Sequence, residues 1–337
     1  MADGPPTRVL WLTPDKPDNI SVGRSRIAAR LEQTGYDVTV TGTTPRTALG
    51  SLRDRGAYDV VVGTTRAGAL AATVVATGHR IPLIVDHVDP IEQFERTHSR
   101  WLATLVRVGE SVAFRRADHV LYVYEEEAHR VEPTASAATK TALGVDYHRF
   151  ADPDPEILSR GRSLLNAEWE RPLAVYIGGL EPLYHIEALL ASAEHLQSGS
   201  IVLAGAGALE ETVRQHAAET DRIHYLGSVD HDAIPGLLAE CDVSVSLVDD
   251  PHTLKVLEYG AAGLPVVQFD GAARHRFGDR VVYTDTEPIA IAAAIERAVE
   301  RDGASLQSFV RDFDWADIAA TYAAAIEQVL SESKLSQ

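Results

Sequence analysis

A single cysteine, Cys241, leaves this 337-residue chain without an internal disulfide. Its stability therefore rests on packing, and it suits a reducing compartment. Lysine is scarce as well: Lys16, Lys140, Lys255 and Lys334 are the only four among 31 basic residues, set against 49 acidic ones. The formal net charge of −18 excludes nucleic acid as the main partner, because a polyanion is bound through a basic surface. An acidic, lysine-poor composition fits either salt adaptation or a GC-rich genome, and it bears on solubility rather than chemistry. No long apolar run is present. The richest stretch, Tyr58 to Thr77, contains Arg66 and many small residues, so it reads as a buried strand and a helix rather than a membrane span. The start, MADGPPTRVLWL, lacks a basic n-region and a small-residue cleavage site, so no secretory leader is expected and the cytoplasm is the expected location. Histidine and cysteine occur without ligand spacing, so no metal and no cofactor is expected, and Asp249-Asp250 alone makes no cation site.

What the chain does have is 45% hydrophobic residues, ample for packed cores. At about 150 residues per domain, its length implies two domains. Short β-branched runs alternate with helical patterns, as in βαβ units. RVLWLT, DVTVTG, YDVVVGT, PLIVDH and HVLYVY read as strands of a first parallel sheet, and GRSRIAARLEQTG as an amphipathic helix closed by Gly35. LAVYIGG, SIVLAGAG, IHYLGSV, DVSVSLV, LPVVQFD and RVVYTD form a second series. Their continuous apolar character is that of sheets covered on both faces. The expected division is a first domain over 1–150, a linker over 151–161 with two prolines and several charges, a second domain over 162–312, and a last segment over 313–337. In two doubly wound domains a ligand belongs at the C-terminal ends of the strands.

The stretch YIGGLEPLYHIEALL (Tyr176–Leu190) reads as strand, glycine turn and helix, an arrangement that often presents backbone N–H groups to a phosphate. Yet no arginine or lysine lies between Arg171 and Arg214. The cation that would neutralise a phosphate here must come from elsewhere in the chain.

Several segments, in order, carry a resemblance. They are YDVTVTG, ADHVLYVYEEE, ALGVDYHRF (Ala142–Phe150), SIVLAGAGALEETV, IHYLGSVDHDAIPGLLAECDVSVSL, DDPHTLKVLEYGAAGLPVV (Asp249–Val267) and FDWADIAATYAAAIEQVL. Together they resemble the retaining glycosyltransferases of family 4. That resemblance implies an α/β GT-B fold of two facing Rossmann-like parallel-sheet domains, with the C-terminal helix crossing back to the first. It also implies transfer of a sugar from a nucleotide-diphosphate sugar to a glycan, glycolipid or natural-product acceptor, with retention at the anomeric carbon and without a metal.

The resemblance also assigns residues. In the family the loop after Tyr176 carries an arginine and a lysine that grip the diphosphate. Here Gly178 and Gly179 open the loop, Gly179 stands at the arginine position and Tyr184 at the lysine position. Charge-assisted contacts to phosphate are the strong ones, so the loss is substantial. Lys255 is the leading replacement, aided by the amides of Thr253 and Leu254 at a helix N-terminus. A lysine there can equally snorkel to solvent. Glu258 matches the carboxylate that receives the ribose hydroxyls, and Asp250 the acid near the donor sugar, one methylene shorter than the usual glutamate. His87 matches a histidine beside the donor sugar, with Asp86 or Asp89 to orient its imidazole. Gly23 matches a glycine-rich first loop in which the backbone approaches the donor, and Arg24 beside it is the second candidate for the missing cation.

Phe94 to Arg116 carries five arginines against two glutamates, with Trp101, Leu105, Val108 and Val112 on one helical stripe. Such a helix can lie on an anionic membrane, giving peripheral contact at the inner face, or can pack by its stripe and solvate its arginines. Two other readings share the fold: a catalytically silent partner subunit, favoured by the lost arginine and lysine, and a nucleotide-sugar 2-epimerase, whose acid–base residues have no recognisable motif here.

Overall fold

The computed structural model of the protein describes residues 5–14, 19–54, 56–91, 94–95 and 99–335. The chain divides into two compact units, Met1–Leu143 with Trp315–Gln337, and Gly144–Asp314.

Unit 1 is built on a six-stranded, all-parallel sheet. Its strands are β1 (Thr7–Leu12), β2 (Tyr36–Thr41), β3 (Val60–Thr64), β4 (Leu83–His87), β5 (His119–Tyr122) and β6 (Ala138–Lys140), in the order β2-β1-β3-β4-β5-β6. Its helices are α1 (Asn19–Gln33), α2 (Pro45–Ser51), α3 (Thr65–His79), α4 (Arg100–Arg116) and α5 (Ala128–Val131). Alternate residues of a strand face opposite sides of the sheet, and here both sides are apolar. Val9, Trp11, Val60, Val62 and Ile84 form one core, with Ile27 and Leu31 of α1 and residues of the last helix of the chain. Leu10, Leu12, Val61, Leu83 and Val85 form the other, with Ala72 and Val75 of α3 and Phe114 of α4.

Unit 2 repeats the plan. Its strands are β7 (Leu173–Ile177), β8 (Ser200–Ala204), β9 (Ile223–Tyr225), β10 (Val243–Ser246), β11 (Val266–Phe269) and β12 (Val282–Thr284), ordered β12-β11-β10-β7-β8-β9 and all parallel. The helices are α6 (Tyr147–Ala151), α7 (Pro155–Ser163), α8 (Ile186–Ser192), α9 (Glu210–Glu219), α10 (Ile234–Ala239), α11 (Leu254–Ala261), α12 (Ala273–Phe277), α13 (Pro288–Val299) and α14 (Ala304–Val310). The strand order reverses between β7 and β10. In doubly wound sheets such a switch point leaves an open crevice at the strands' C-terminal ends. The chain then ends in α15 (Trp315–Leu335), which packs into unit 1 through Trp315, Ile318, Tyr322, Ile326 and Val329.

Two sequence expectations change. The stretch 151–161, with its prolines and charges, is not a free linker: Pro155 sits at the N-terminus of α7, where its missing N–H costs nothing. α7 then crosses α10 at a glycine pair, and a Cβ on Gly161 would overlap the Gly236 backbone. Composition signalled a linker, but tight helix packing decided the outcome. The first helix also begins earlier than GRSRIAARLEQTG suggests, at Asn19, so Gly23 lies inside α1 and not in a loop. Among the described residues no helix is long and apolar enough to cross a membrane.

Candidate functional site

In unit 2 the sequence-predicted residues gather at the switch point. β7 ends at Ile177, and Gly178 turns the chain at φ +146°, a conformation that disfavours a side chain. Its neighbours are backbone. Gly178 N–H donates to Ala204 O and Leu180 N–H to Ala206 O, each at 2.9 Å, while Gly205 N–H donates to Gly227 O at 2.8 Å. The turns after three adjacent strands are thus bonded to one another. This corrects the expectation for Gly178, whose N–H is spent inside the sheet end and not held out as a phosphate donor. Its missing side chain has another use, since a Cβ there would overlap Lys255 Cε. The glycine makes room for the lysine.

Lys255 is the second residue of α11. The helix buries Val256, Leu257, Tyr259, Gly260 and Ala261, and Tyr259 ties it to β7 by accepting from Ile177 N–H at 2.9 Å. This fixes the lysine over the end of β7. Its ammonium donates to Tyr176 Oη at 2.9 Å, and Tyr176 Oη donates onward to Gly179 O at 2.6 Å. The same ammonium lies 4.6 Å from the Tyr176 ring centroid and 3.7 Å from that of Tyr184. Both rings present a negative face to the cation. Burial lowers the lysine from 10.5 to about 8, with only Glu258 pulling it back up. Among the described residues no carboxylate forms an ion pair with it. The snorkelling alternative is therefore closed, and a partly desolvated cation faces two aromatic rings and the strand-end turn.

The companions are less uniform. Glu258, one turn along α11, is half-buried, and its Oε1 lies 3.4 Å from His231 Nε2. Thr253 precedes the helix with extended backbone, and its N–H reaches Asp250 O at a long 3.4 Å. Leu254 opens the helix. Asp250 turns its Oδ1 back to accept from His252 N–H at 2.8 Å, closing an Asx turn. It holds the loop that leads into α11.

Unit 1 departs further from expectation. Gly23 packs against α15, and a Cβ there would lie 3.0 Å from the Trp315 ring. Arg24 is completely buried. Its Nε and Nη2 grip Asp86 at 2.7 and 2.9 Å, and Nη2 donates to Tyr322 Oη at 3.1 Å. Asp86 also accepts from Tyr322 Oη and Thr64 Oγ1, each at 2.7 Å, and Thr64 Oγ1 accepts from Trp11 Nε1 at 2.7 Å. Against the burial, Asp86 and Tyr322 raise the arginine further, so it stays charged. Arg24 is thus not a spare phosphate cation but one half of a buried ion pair that binds α1, β4 and α15 together. Gly23 and Arg24 share one reason for their inward placement: both face α15, a partner distant in the chain that no local pattern reveals.

His87 follows from the pleat. It shares its sheet face with Leu83 and Val85, and Asp86 faces the other way, so Asp86 cannot orient the imidazole. Glu127 does, 3.0 Å from His87 Nε2, and Phe114 packs edge-on against the ring at 5.0 Å. Glu127 further accepts from Ile91 N–H at 2.9 Å and from Arg130, which also bonds Glu110 at 2.6 Å. Arg66 pairs with Glu110 at 2.8 Å and Asp89 at 3.7 Å. Burial pushes Glu127 up, but His87, the Ile91 amide and Arg130 outweigh it and bring the carboxyl down to about 2. His87 is therefore a buried member of an ionic network and not an exposed base.

Residues 171–301 match the family described as Glycosyl transferases group 1. Over the whole chain the fold is similar to Anabaena HepE, crystallised with UDP (TM-score 0.73, 18% identity, 96% of this chain and 100% of that one). It is similar also to sucrose-phosphate synthase from Thermosynechococcus elongatus (TM-score 0.75, 14% identity, 97% and 100%). A glycosyltransferase from Rickettsia africae gives TM-score 0.71 at 13% identity over 96% and 99%. The chain has the GT-B fold. No curated protein sequence matches it.

Within this GT-B chain the group 1 segment falls inside unit 2 and includes the whole Lys255 cluster. Four functional candidates escaped the sequence reading. Tyr184 was noted only as a missing lysine, yet its ring is the platform for the lysine that is present. Tyr176, inside a strand, carried no signal beyond its place before Gly178. His231 opens a 3₁₀ turn (His231–Ala233), 27 residues before Glu258 in sequence. Glu127 was one of three successive glutamates, and only the 3₁₀ turn over 125–127 selects it for burial.

Proposed function

We propose that the protein is a glycosyltransferase that takes a sugar from a nucleotide-diphosphate donor held by unit 2. The observation that carries this reading is the Lys255 ammonium, desolvated, unpaired with any described carboxylate, and centred at the switch point. A diphosphate would supply the missing counter-charge. As the sugar departs, negative charge grows on that diphosphate, and a preorganised cation in a low-dielectric pocket stabilises the change without reorganising. Glu258 accepts from the ribose hydroxyls, one turn along the same helix from the lysine that faces the phosphate. The acceptor is a glycan, glycolipid or small natural product. Transfer proceeds with retention, the leaving phosphate taking the acceptor's proton, so no protein nucleophile is needed. Neither a metal nor a cofactor takes part.

The group 1 match over unit 2 and the likeness to UDP-bound HepE support the donor class. The test is thermal stabilisation of the purified chain by UDP, GDP, ADP and dTDP, with magnesium and with EDTA. Ligand at about 100 times its dissociation constant stabilises by about 2.7 kcal/mol. A base-specific shift that persists in EDTA and disappears in Lys255→Ala supports the reading. No shift with any nucleotide would leave a silent partner subunit as the better account.

A further inference from the structure

The helix α4 turns its polarity inside out. Its buried face is Ala103, Glu110, Ala113 and Phe114, with Glu110 neutralised by Arg66 and Arg130. Its outer face carries Trp101, Leu105, Val108 and Val112, which are 67%, 59%, 58% and 43% exposed. These four recur at helical spacing, so they form one stripe opposite the core. The sequence left open a stripe packed against the protein, and the structure excludes it.

The patch does not stop at the helix. α3 adds Leu70 and Val74, both exposed, and Leu70 lies against α4 at Gly109. Isolated exposed apolar residues are ordinary, but a contiguous patch of six large ones marks an interaction surface. Its charge is equally distinctive. Arg115 and Arg116 flank the stripe at its C-terminal end, Arg100 and Arg107 lie further round the helix, and all four are exposed, whereas the helix's one acid, Glu110, is buried. Arg107 is paired with Glu95. In a chain of net charge −18 this face is a basic island around an apolar ridge headed by a tryptophan.

We propose that this face of unit 1, α4 extended by α3, docks on an anionic lipid bilayer. The helix would lie in the interface plane with its stripe in the acyl boundary and its arginines among the headgroups. Tryptophan prefers that depth. Charge complementarity selects the occupant. A second copy of the chain, related by two-fold symmetry, would set these arginines against themselves. A nucleic acid would meet the arginines but leave the apolar stripe in water. The inference is independent of the proposed donor chemistry.

The experiment is flotation of the full chain with vesicles of phosphatidylcholine alone and of equal parts phosphatidylcholine and phosphatidylglycerol, with tryptophan fluorescence read in parallel. The chain should float only with the anionic vesicles, with a blue shift of Trp101 emission, and release at high salt. Arg115→Gln with Arg116→Gln should weaken binding by about fivefold for each arginine removed. Leu105→Gln with Val108→Gln keeps Trp101 as the probe and should abolish the blue shift. All four positions are exposed, so unchanged far-ultraviolet circular dichroism should show the variants folded. Absence of flotation with either vesicle would overturn the proposal, as would binding indifferent to both double variants. A dimer in sedimentation that Leu105→Gln with Val108→Gln dissolves, without vesicle binding, would assign the face to a second copy instead.

Discussion

Replacing Arg24 by methionine separates two roles that the sequence alone could not. The side chain is of similar length, so the cavity stays filled, but the fully buried Asp86 carboxyl loses its arginine partner. Two neutral donors remain to it, Tyr322 and Thr64, each at 2.7 Å. They solvate the carboxylate without balancing it. Removing one partner of a buried ion pair typically costs about 3–5 kcal/mol, because the survivor is left uncompensated. At about 2–4 °C per kcal/mol for a unit of this size, the melting temperature should fall by about 6–20 °C. Near-ultraviolet circular dichroism is the appropriate probe, since Trp11 stacks on Tyr322 at 5.4 Å within unit 1. Tyr322→Phe removes two hydrogen bonds with charged groups, the one donated to Asp86 and the one accepted from Arg24, and should cost at least about 1.5–3 kcal/mol. The double variant should show a coupling of about 0.5–3 kcal/mol, as expected for residues sharing one network. If Arg24→Met melts within a degree or so of the wild type while nucleotide affinity collapses, the buried-pair account is wrong and the arginine serves the donor.

Other predictions concern unit 2. Gly178→Ala should displace Lys255 and strain a residue at φ +146°, costing about 1–3 kcal/mol of stability. It should also weaken nucleotide binding, and combining it with Lys255→Ala should weaken binding no further, as read by titration calorimetry. Nucleotide affinity should fall as pH rises through about 8, because the lysine, lowered from 10.5 by burial, loses its proton there. Lys255→Ala should show a flat profile. The same shift has the opposite sign for folding: between about 8 and 10.5 the unfolded chain holds the proton that the native chain has released, so this group makes stability rise with pH. Gly161→Ala inserts a methyl where α7 and α10 meet backbone to backbone, and should destabilise unit 2 by about 1–3 kcal/mol in urea unfolding.

The sheets were legible in the sequence because buried parallel strands are short, continuous, β-branched apolar runs, whereas the equally apolar helix Pro288–Val299 is alanine-rich and longer. Lys255 was legible because it stands nearly alone in a lysine-poor chain, within a helix start that otherwise asks for apolar residues. What remained illegible depended on distance or direction. Arg24 and Tyr322 lie 298 residues apart in the chain, and no local pattern joins them. Asp86 and His87 are adjacent, yet the pleat sends them to opposite faces, so proximity in sequence misassigned the partner of the imidazole. The 151–161 stretch had the composition of a linker, and only the matching Gly236 in a distant helix reveals why Gly161 is there. The α4 stripe was read correctly as a stripe, but periodicity cannot say whether an apolar face points in or out.

Because α15 supplies Tyr322 to the Arg24–Asp86 pair, unit 1 is assembled from both ends of the chain. A ribosome delivers the first 143 residues, then all of unit 2, and only then the helix that completes the first core. During that interval an ionised pair awaits its phenol, and the apolar groove for Trp315 and Ile326 stands open. Unit 2 is contiguous and carries no such debt, so it can close while still tethered. The order of synthesis is thus the reverse of the order of completion. A chain truncated shortly before Tyr322 should keep a native second unit attached to an unfinished first one, a difference that limited proteolysis would read directly.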